Sequence, residues 1–420
     1  MGWYNICMER IILHSDLNNF YASVECLYNP QLRQKPVAVA GDLEKRHGIV
    51  LAKNELAKKY GVATGDPLWL AQKKCKDIVF TPPHFERYLE YSAIAREIYS
   101  DFTDQVESFG LDECWLDVTA STALFGSGRE IADKIRARIK RELGVTASVG
   151  VSFNKIFAKL GSDMKKPDAT TVIDRRRFKE LVWPLPVGEL LYVGRATRSK
   201  LLNYGIDTIG KLAAANPRFL QNRLGKMGII LHRFANGLDC SPVSNIGAKS
   251  LIKSIGNSTT APHDLVSDEH IKITLYALCQ SVSARMRELD FYCRTVQISV
   301  RDNKLESVQL QKKLETPCRT CKALFEAAFE LIKTRYPGKN PIRSIGVRAC
   351  DLFVQQSVQL SMLDNVKRLQ KAEVLESTLD KLRERFGPFA VERGIMLADR
   401  SLSSISPKDD NIIHPIGFFK

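Results

Sequence analysis

Three carboxylate residues of this chain have the chemistry and the placement of a divalent-metal site. Asp16 follows a short apolar run, and Asp112 and Glu113 stand together at the start of another. Hard ions such as Mg²⁺ prefer carboxylate oxygens, and the backbone carbonyl of Leu17 can complete one ion's shell. Two such ions about 3.5–4 Å apart support phosphoryl transfer from a nucleoside triphosphate. Taken one at a time, Asp16 is also explained as a helix cap and the acidic pair as a solvated turn.

Alternating strands and helices are predicted around these carboxylates. Short apolar runs bounded by charge predict buried strands at 11–14, 113–118 and 146–152. Apolar residues at helical spacing predict helices over 16–29 and 129–143. This order favours an α+β domain with an antiparallel sheet, in which the first carboxylate lies at a strand-to-helix junction.

The rest of the chain divides into segments that differ in composition and in apolar pattern. An insert rich in Lys, Gly and Pro lies between Pro30 and Phe85, and residues 184–240 carry two glycine turns between short helices. Turn formers without an apolar period predict a linker at 240–250. A separate α+β module is expected after it, with helices over 268–289 and 317–335 and strands over 294–302 and 342–353. A helix over 365–387 and a tail that packs on or trails from this module follow.

Composition sets limits on the class of protein. The chain has 420 residues, with 62 Lys and Arg against 47 Asp and Glu, a net charge of +15 and a pI near 9.3. A chain of this length is expected to form several domains. The basic balance suits a polyanionic partner such as nucleic acid, although a solubility role explains it equally well. No apolar run is long enough to span a membrane and no signal-cleavage pattern is seen, so a cytoplasmic location is expected.

Ten cysteines stand at irregular spacing along the chain. Without secretion signals, this pattern predicts reduced thiols rather than a disulfide framework. Cys318 and Cys321 form a CxxC pair, but a structural zinc site needs a second pair of Cys or His ligands. Both residues are therefore predicted to be structural thiols at the start of a helix.

Three segments resemble the signatures of the Y-family translesion DNA polymerases, in the family's order and at its distances. The first is LHSDLNNFYASVE, an aspartate followed by a helix with paired aromatic residues. The second is SFGLDECWLDVT, in which an Asp-Glu pair opens a strand. The third is ASVGVSFNKIFAKLGSDMKKPDATTVI, a strand and then a lysine-rich helix that ends in Lys-Pro. The resemblance covers nearly the whole chain.

The resemblance implies an α+β fold of the right-hand polymerase type. Its expected parts are a ferredoxin-like palm (1–27 and 87–174), small fingers (28–86), a helical helix-hairpin-helix thumb (175–240), a linker (241–250), an α+β little-finger domain (251–354) and a clamp-binding segment with a C-terminal extension (355–420). The implied reaction is attack of a primer 3′-hydroxyl on the α-phosphate of a dNTP, with release of pyrophosphate. Small fingers imply loose inspection of the new base pair, and hence low-fidelity bypass of damaged templates. No second acidic cluster suggests a proofreading nuclease.

The resemblance also assigns roles at the acidic site. Asp16, Asp112 and Glu113, with the carbonyl of Leu17, become the ligands of two Mg²⁺ ions, and Mn²⁺ remains an alternative. Glu113 is the position usually designated catalytic in this family.

Several residues are implied to bind the incoming nucleotide. Tyr21 is the implied steric gate against a ribose 2′-hydroxyl, and Phe20 is expected against the sugar or base. Lys58 and Lys166 are expected against the phosphates, as point charges. Neighbouring Asn18 and Asn19 are assigned to the same site.

Two residues depart from the family pattern. Glu55 replaces a tyrosine that many relatives place against the phosphates, so that hydroxyl contact is missing or replaced. Asn18 stands where polymerase IV members carry an acidic residue. This second departure looks more like the polymerase V catalytic subunit, which leaves the subclass open.

DNA and clamp contacts are implied farther along the chain. The glycine turns resemble helix-hairpin-helix elements, whose N–H groups meet phosphate oxygens without reading sequence. The expected DNA contacts are Gly194, Arg195, Arg198, Lys200, Gly225, Lys226 and Gly228, together with the basic strands of the 251–354 module. A peptide resembling the sliding-clamp motif of bacterial polymerases comprises Gln359, Leu360, Ser361, Met362 and Leu363.

Two other classes of function remain as alternatives. A catalytically silent adaptor would bind DNA and clamp without synthesis, but it has no reason to keep three clustered carboxylates. A palm-based nucleotide cyclase would not need the DNA-gripping turns after residue 184. The expected partners are therefore primer-template DNA, dNTP and a sliding clamp, with no membrane contact, and the chain is expected to be a monomer.

Overall fold

The computed structural model describes residues 10–41, 48–248, 251–354 and 366–405, without the side chains of Val366 and Leu369. Two compact units are present: the first contains the described residues 10–40 and 49–248, and the second contains 251–354 and 366–405. Part of the segment predicted as a linker packs on the first unit. Val243 is buried there, and the Ser244 N–H donates to Glu107 Oε2 at 2.8 Å.

The first unit contains three groups of elements. It begins with strand β1 (Ile12–Leu17) and helix α1 (Phe20–Tyr28). An insert follows, with strands β2 (Val37–Ala40), β3 (Val50–Lys53) and β4 (Val79–Thr81) and helices α2 (Glu55–Lys59) and α3 (Leu68–Lys74). The chain continues with α4 (Phe85–Ser100), β5 (Val106–Ser108), β6 (Glu113–Asp117), α5 (Thr122–Phe125), α6 (Gly128–Leu143), β7 (Ala147–Ser152), α7 (Lys155–Met164) and β8 (Thr170–Ile173). The last group is α8 (Phe178–Val182), α9 (Arg195–Asn203), α10 (Ile209–Ala214), α11 (Pro217–Leu224) and α12 (Lys226–Ala235).

A five-stranded sheet in the order β5-β6-β1-β7-β8 is the centre of this unit. As the sequence predicts, β1 runs antiparallel to both β6 and β7, while β7 and β8 are parallel. Leu13 and Leu17 are buried with apolar residues of α4 and α6, whereas Ile12 is buried with Trp115 and with Ala158 of α7. The sheet therefore carries helices on both faces.

The alternation of strand side chains places the acidic residues under α7. Successive residues of a strand point to opposite faces, so Asp16 shares the face of Ile12, which packs toward α7. Gly150 lets that helix lie close, because a Cβ there would be 1.9 Å from the backbone oxygen of Ala158. The prediction that Asp16 lies at the strand-to-helix junction was wrong in detail, since β1 continues to Leu17. Hydrogen bonding to strands on both sides carries the extended backbone past the acidic residue.

The second unit is built on a four-stranded antiparallel sheet in the order β11-β10-β12-β9. Its elements are β9 (Ser254–Leu265), α13 (Asp268–Glu288), β10 (Phe291–Asp302), β11 (Ser307–Cys318), α14 (Cys321–Arg335), β12 (Ile342–Val354), α15 (Val366–Phe386) and α16 (Arg400–Ser403). The sequence predicts α13, α14, α15, β10 and β12 but misses β9 and β11. These two are the edge strands, which are polar or half exposed and lack a strong apolar pattern.

Chain segments after the sheet pack on this unit. Arg287 of α13 pairs with Glu376 and Asp380 of α15, at 2.7 and 2.6 Å. Leu402 of α16 is buried in the core of the unit. The segment predicted as a tail, 405–420, lies outside the described residues apart from Ile405. Along the described ranges, no helix has the length and apolar character needed to cross a bilayer. All nine cysteines of the described part are free thiols.

Candidate active site

The ends of β1 and β6 and the three-stranded insert surround a cavity of about 290 Å³ in the first unit. Nine residues predicted for catalysis or nucleotide binding line it: Asp16, Leu17, Asn18, Asn19, Phe20, Lys58, Asp112, Glu113 and Lys166. The insert adds residues that the sequence did not single out as ligands: Leu51, Ala52, Lys53, Glu55 and Thr64. Residues separated by as many as 150 positions in the chain therefore line one cavity.

Pairing of β1 with β6 brings the acidic residues together. Asp16 and Glu113 are directly opposite each other in the antiparallel register. The Leu17 N–H donates to the backbone oxygen of Asp112 at 2.9 Å, which fixes the acidic pair beside the end of β1. Asp16 is almost fully buried, with 6% of its surface exposed.

Two lysines supply positive charge beside these carboxylates. Lys166 Nζ donates to Asp16 Oδ2 at 2.7 Å. Lys159 Nζ of α7 lies 2.8 Å from Glu113 Oε2 and 3.8 Å from Asp16 Oδ2. Lys166 was predicted for the site, whereas Lys159 was missed, because a lysine within an amphipathic helix looks like an ordinary surface residue.

Burial and mutual repulsion shift the pKa values of the acidic residues. Burial, together with repulsion from Glu113, raises the pKa of Asp16 and raises that of Asp112 to about 6. Burial also acts to raise the pKa of Glu113, but the His14 imidazole and the Lys159 ammonium outweigh it and lower that pKa. Attraction to Asp16 raises the pKa of Lys166 against the effect of its own burial. Asp16 and Asp112 are therefore harder to ionise than exposed carboxylates, and a cation placed beside them would favour their charged forms.

His14 is a buried neighbour of the site that sequence reasoning missed. Its Nδ1 is 2.8 Å from Ser162 Oγ of α7, and its Nε2 is 3.3 Å from Glu113 Oε2. Burial lowers the pKa of His14. Strand alternation gives the only available sequence signal, since His14 is two residues before Asp16 and faces the same side.

The donor set fits hard divalent cations. Asp16, Asp112 and Glu113 offer carboxylate oxygens at one cavity, and such oxygens are the ligands that hard divalent cations prefer. Within the described ranges, no three Asp, Glu, His or Cys side chains are arranged so that they could hold a metal ion together. Ammonium groups of Lys159 and Lys166 lie among the carboxylates instead.

Asn18 and Asn19 have different surroundings at the cavity. Buried Asn18 donates to Ser148 Oγ at 2.9 Å and accepts at Oδ1 from the Thr146 hydroxyl and the Asp168 N–H. Its side chain therefore ties β1 to the segment that carries Lys166. Asn19 has a left-handed backbone with φ of 50° and donates to Glu55 Oε1 at 3.0 Å.

The two aromatic residues predicted for nucleotide selection lie in one aromatic cluster. Phe20 is 3% exposed, belongs to the core and also lines the cavity. The Tyr21 ring stacks on Tyr88 with centroids 4.2 Å apart and meets Phe85 edge-on at 6.1 Å. Tyr21 does not itself line the cavity, but burial and the charge of Asp112 raise its pKa to about 12.

Lysines of the insert face the same cavity. Lys58 lies on α2 and is 3.7 Å from Glu55 Oε1, with half of its side chain exposed. Lys53 ends β3 and donates to Thr64 Oγ1 at 3.1 Å. Burial, and then the charge of Lys58, lower the pKa of Lys53. Three lysines, at 53, 58 and 166, thus line the cavity with its carboxylates.

The glycine turns predicted to grip DNA begin two helices. Gly194 precedes α9 and Gly225 precedes α12, and both glycines are exposed with open space where a Cβ would be. The predicted cations Arg195, Arg198, Lys200 and Lys226 are exposed as well. Gly228 is buried instead, and a Cβ there would lie 2.2 Å from the backbone oxygen of Leu220. The missing side chain of Gly228 lets α12 pack against α11, and its contact with DNA stays a prediction.

One face of the four-stranded sheet is polar. The buried residues of β10 and β12, such as Ile298 and Val347, pack on the apolar core with α13 and α14. On the opposite face, aligned rows cross all four strands. Three such rows are Gln311–Gln297–Arg348–Gly256, Gln309–Ser299–Gly346–Ser258 and Ser307–Arg301–Ser344–Thr260. Sequence reasoning named the arginines of these strands but missed the rows, because register is a property of paired strands. The predicted clamp peptide, 359–363, lies outside the described residues.

Comparisons with known proteins agree with this architecture. The model of the impB/mucB/samB family matches residues 15–163, and that of the family's C-terminal domain matches residues 252–362. DNA polymerase IV of Acetivibrio thermocellus is 52% identical over 400 residues, which cover 95% of this chain and 100% of that protein. DNA polymerase IV 1 of Bacillus subtilis is 36% identical over 93% of this chain and 94% of its own length.

A solved structure shows the fold of the chain, and the names of its relatives indicate the subclass. A chimeric Y-family DNA polymerase matches with a TM-score of 0.72 and 24% identity, covering 82% of this chain and 100% of its own, which shows the right-hand polymerase fold. Asn18 had suggested the polymerase V catalytic subunit, but the relatives are polymerase IV proteins. The chain therefore belongs to the impB/mucB/samB family, and within it to the bacterial Y-family polymerases of the DNA polymerase IV group.

Proposed function

We propose that Asp16, Asp112 and Glu113 carry the DNA synthesis by which this Y-family polymerase copies damaged templates. The chain is a DNA-directed DNA polymerase of the lesion-bypassing type, as its relatives and fold indicate. The observation that supports these residues is their arrangement: Asp16 and Glu113 oppose each other across two strands, and all three carboxylates line one cavity. The catalytically silent adaptor is not favoured, because the acidic residues and the surrounding lysines remain together.

The three carboxylates and the Leu17 carbonyl would hold two divalent cations, which we propose are Mg²⁺, with Mn²⁺ as an alternative. When bound, such ions lower the pKa of a primer hydroxyl and neutralise the leaving pyrophosphate. The protein contributes positioning: Glu113 and Asp16 are fixed by strand register, and the Asp112 backbone by its bond to Leu17. Preorganised charge of this kind costs no rearrangement at the moment of reaction.

Side chains around the cavity are proposed to hold the nucleotide. Lys166, Lys58 and the newly located Lys53 would attract the triphosphate, since all three line the cavity. Phe20 would lie beneath the sugar or base. We propose Tyr21 as the steric gate, held in place by its stacking on Tyr88.

Asn18 and Asn19 are proposed to act at the nucleotide site through the shape of the cavity rather than by direct chemistry. The Asn18 amide is already engaged by Ser148, Thr146 and Asp168, and it fixes the turn that carries Lys166. Glu55 accepts from Asn19 and faces Lys58, so it replaces the tyrosine contact of many relatives with a charge that orients a lysine.

We propose that the parts of the molecule are the domains expected of the polymerase. We propose the five-stranded sheet and its helices as palm (1–27 and 87–174), the three-stranded insert as fingers (28–86), α8–α12 as thumb (175–240), residues 241–250 as linker, the four-stranded sheet and its helices as little finger (251–354), and 355–420 as clamp-binding segment and extension. The two units have separate apolar cores, which supports independent folding of the little finger.

DNA would be held by backbone contacts in both units. Exposed Gly194 and Gly225 leave the first turns of α9 and α12 open to phosphate oxygens, and the cations Arg195, Arg198, Lys200 and Lys226 add salt-sensitive attraction. In the little finger, the polar face of the sheet offers Gln, Ser, Thr and Arg side chains, none of them acidic in the three rows described above. Such groups bind the DNA backbone without reading its sequence.

Partners beyond DNA and dNTP remain proposals. We propose that residues 359–363 dock on a sliding clamp, that the chain acts as a monomer, that it has no proofreading activity and that it works in the cytoplasm without membrane contact. The clamp proposal depends on the sequence of the peptide, in which Gln359 precedes apolar residues. The proposal of no proofreading depends on the lack of a second acidic cluster in the sequence.

Substitution of the acidic residues tests the proposed active site. Asp16→Ala and Glu113→Ala are each expected to lower Mg²⁺-dependent primer extension by at least 10³-fold, because metal-assisted charge stabilisation is lost. Binding of primer-template DNA, measured by fluorescence anisotropy, is expected to change less than about 2-fold.

Asp101→Ala is the matched control for these two variants. Asp101 is an exposed aspartate of the same unit that pairs with Arg138. The control is expected to extend primers like the wild type. Full extension by Asp16→Ala or Glu113→Ala would contradict the metal assignment.

A further inference from the structure

One carboxylate beside the site, Asp163 of α7, contacts both active-site lysines. Its Oδ1 lies 2.9 Å from Lys166 Nζ, and its Oδ2 lies 3.3 Å from Lys159 Nζ. Each lysine also contacts a carboxylate of the cavity, since Lys166 is 2.7 Å from Asp16 and Lys159 is 2.8 Å from Glu113. Asp163 is therefore the shared end of two ion-paired chains that lead into the active site.

The positions of these residues on α7 explain the contact. Lys159 is one helical turn before Asp163, and Lys166 is three residues after it, just beyond the helix end at Met164. Lys159 and Asp163, four residues apart, lie on the same side of the helix, and the chain that leaves the helix brings Lys166 to Asp163. Because Gly150 lets α7 lie directly on the sheet, that side meets the acidic ends of β1 and β6.

This arrangement differs from an ordinary solvated ion pair. Lys211 and Asp207 also stand four residues apart, but both side chains are more than half exposed. Asp163 itself is 37% exposed, but its partners Lys159 and Lys166 are only 13% and 27% exposed. Partial burial strengthens the dependence of each ammonium group on its neighbouring anions.

The same lysines occupy the places where cations are required. Any cation that binds Asp16 and Glu113 must compete with Lys166 and Lys159 for those oxygens. A displaced ammonium group in a partly buried place needs another anion nearby. Asp163 already contacts both lysines and is not one of the three proposed metal ligands.

We propose that Asp163 is a positioning residue that competes with Glu113 and Asp16 for Lys159 and Lys166, and so makes the site more available to divalent cations. The inference depends on the proposed metal function of these carboxylates. Without Asp163, both lysines would pair more fully with the metal ligands, and cation affinity would fall. Once released toward Asp163, Lys166 is also kept beside the cavity for the triphosphate.

Mn²⁺ binding to the full-length protein, followed by electron paramagnetic resonance without DNA or nucleotide, tests this role. Asp163→Asn is expected to raise the Mn²⁺ Kd about 5-fold, the scale of a partly screened ion pair. Asp163→Glu, which keeps the charge, is expected to stay within about 2-fold of the wild type. Asp101→Asn, which removes an exposed carboxylate paired with Arg138, is the control and is expected to have no effect.

A double-substitution cycle separates positioning from simple long-range attraction. In a Lys159→Met background, Asp163→Asn is expected to change the Mn²⁺ Kd by at most about 2-fold, because one of the competing lysines is absent. An undiminished 5-fold effect in that background, or no effect of Asp163→Asn in the wild type, would overturn the proposal. Thermal unfolding of every variant in EDTA verifies that each is folded.

The proposed function has its own control in the same measurement. Asp16→Ala is expected to remove Mn²⁺ binding. If the Asp16→Ala variant binds Mn²⁺ as tightly as the wild type, the metal assignment itself is overturned. If Asp16→Ala loses Mn²⁺ binding as expected but Asp163→Asn binds Mn²⁺ like the wild type, only the role of Asp163 is overturned.

Discussion

At the scale of single residues, the charged form of a buried carboxylate in the candidate site destabilises the folded chain, and other interactions must offset this. Asp112 is buried, and burial together with the charge of Glu113 raises its pKa to about 6. At neutral pH its charge therefore destabilises the folded chain relative to the unfolded one. Lys159 and Lys166 offset part of that cost.

Replacement of Asp112 by Asn is expected to separate stability from activity. Primer extension should be lost, whereas the free energy of unfolding of the first unit at pH 8 should rise by about 1–3 kcal/mol. The free energy of unfolding of the wild type is expected to fall as the pH rises from about 4 to above 6. The reason is that folded Asp112 releases its proton at a higher pH than unfolded Asp112. The gain in the variant should therefore vanish near pH 4.

Thermal and urea unfolding between pH 4 and pH 8 measure this difference, with Asp101→Asn as the exposed control. A variant that is equally or less stable than the wild type at pH 8 would show that Asp112 is not strained in the free protein. Added Mg²⁺ should stabilise the wild type more than the variant, since ligands stabilise the state that binds them.

At the level of elements, the four-stranded sheet has two chemically different faces. Residues such as Ile298 and Val347 pack on the core, while the opposite residues form polar rows across all strands. Gly346 keeps one row flat, because a Cβ there would lie 2.4 Å from Ser299 Oγ. The glycines and serines of these rows allow close approach of a nucleic-acid backbone, and the glutamines and arginines can bind its phosphates.

Removal of one arginine tests this face. Arg348→Ala is expected to weaken primer-template binding about 3- to 10-fold, to a similar degree for different sequences, and to reduce the salt slope by about 1. Fluorescence anisotropy at several salt concentrations measures both effects. Lys322→Ala is the control, because Lys322 is an exposed cation on α14, where it pairs with Glu326. Equal loss in both variants would indicate general attraction by net charge rather than this face.

At the level of the whole molecule, a short segment between two folded elements carries the predicted clamp peptide. The segment lies between the end of β12 at Val354 and the start of α15 at Val366. Both elements belong to the second unit, whose core is separate from those of the first. Clamp docking through this segment would therefore not require the residues that perform synthesis.

Joint replacement of Gln359 and Leu360 by Ala is expected to lower clamp-stimulated synthesis about 10-fold and to leave basal synthesis unchanged. An extended docking peptide depends on its apolar anchor and on the glutamine that fixes its end. Primer extension with and without the clamp measures the ratio. Gln355→Ala with Gln356→Ala is the matched control from the same segment. Equal loss of basal and stimulated synthesis, or no loss of either, would contradict the docking peptide.

The sequence by itself determined the acidic residues, the helices and central strands around them, and the polymerase family. Short-range patterns suffice for these, because Asp16 and the pair at 112–113 each stand in a distinctive local segment. The period of two along β1 also fixes which of its side chains share a face. The edge strands β9 and β11 escaped prediction, since a half-exposed strand has little apolar pattern to detect.

Tertiary structure alone decided which side chains meet across elements. The contacts of Lys159 with Glu113, and of His14 with Ser162, depend on strand register and on the seating of α7 over Gly150. The packing role of Gly228 likewise depends on the approach of two helices. Local sequence determines the direction of a side chain along its own element, whereas its partners on distant segments are set by how those elements pack.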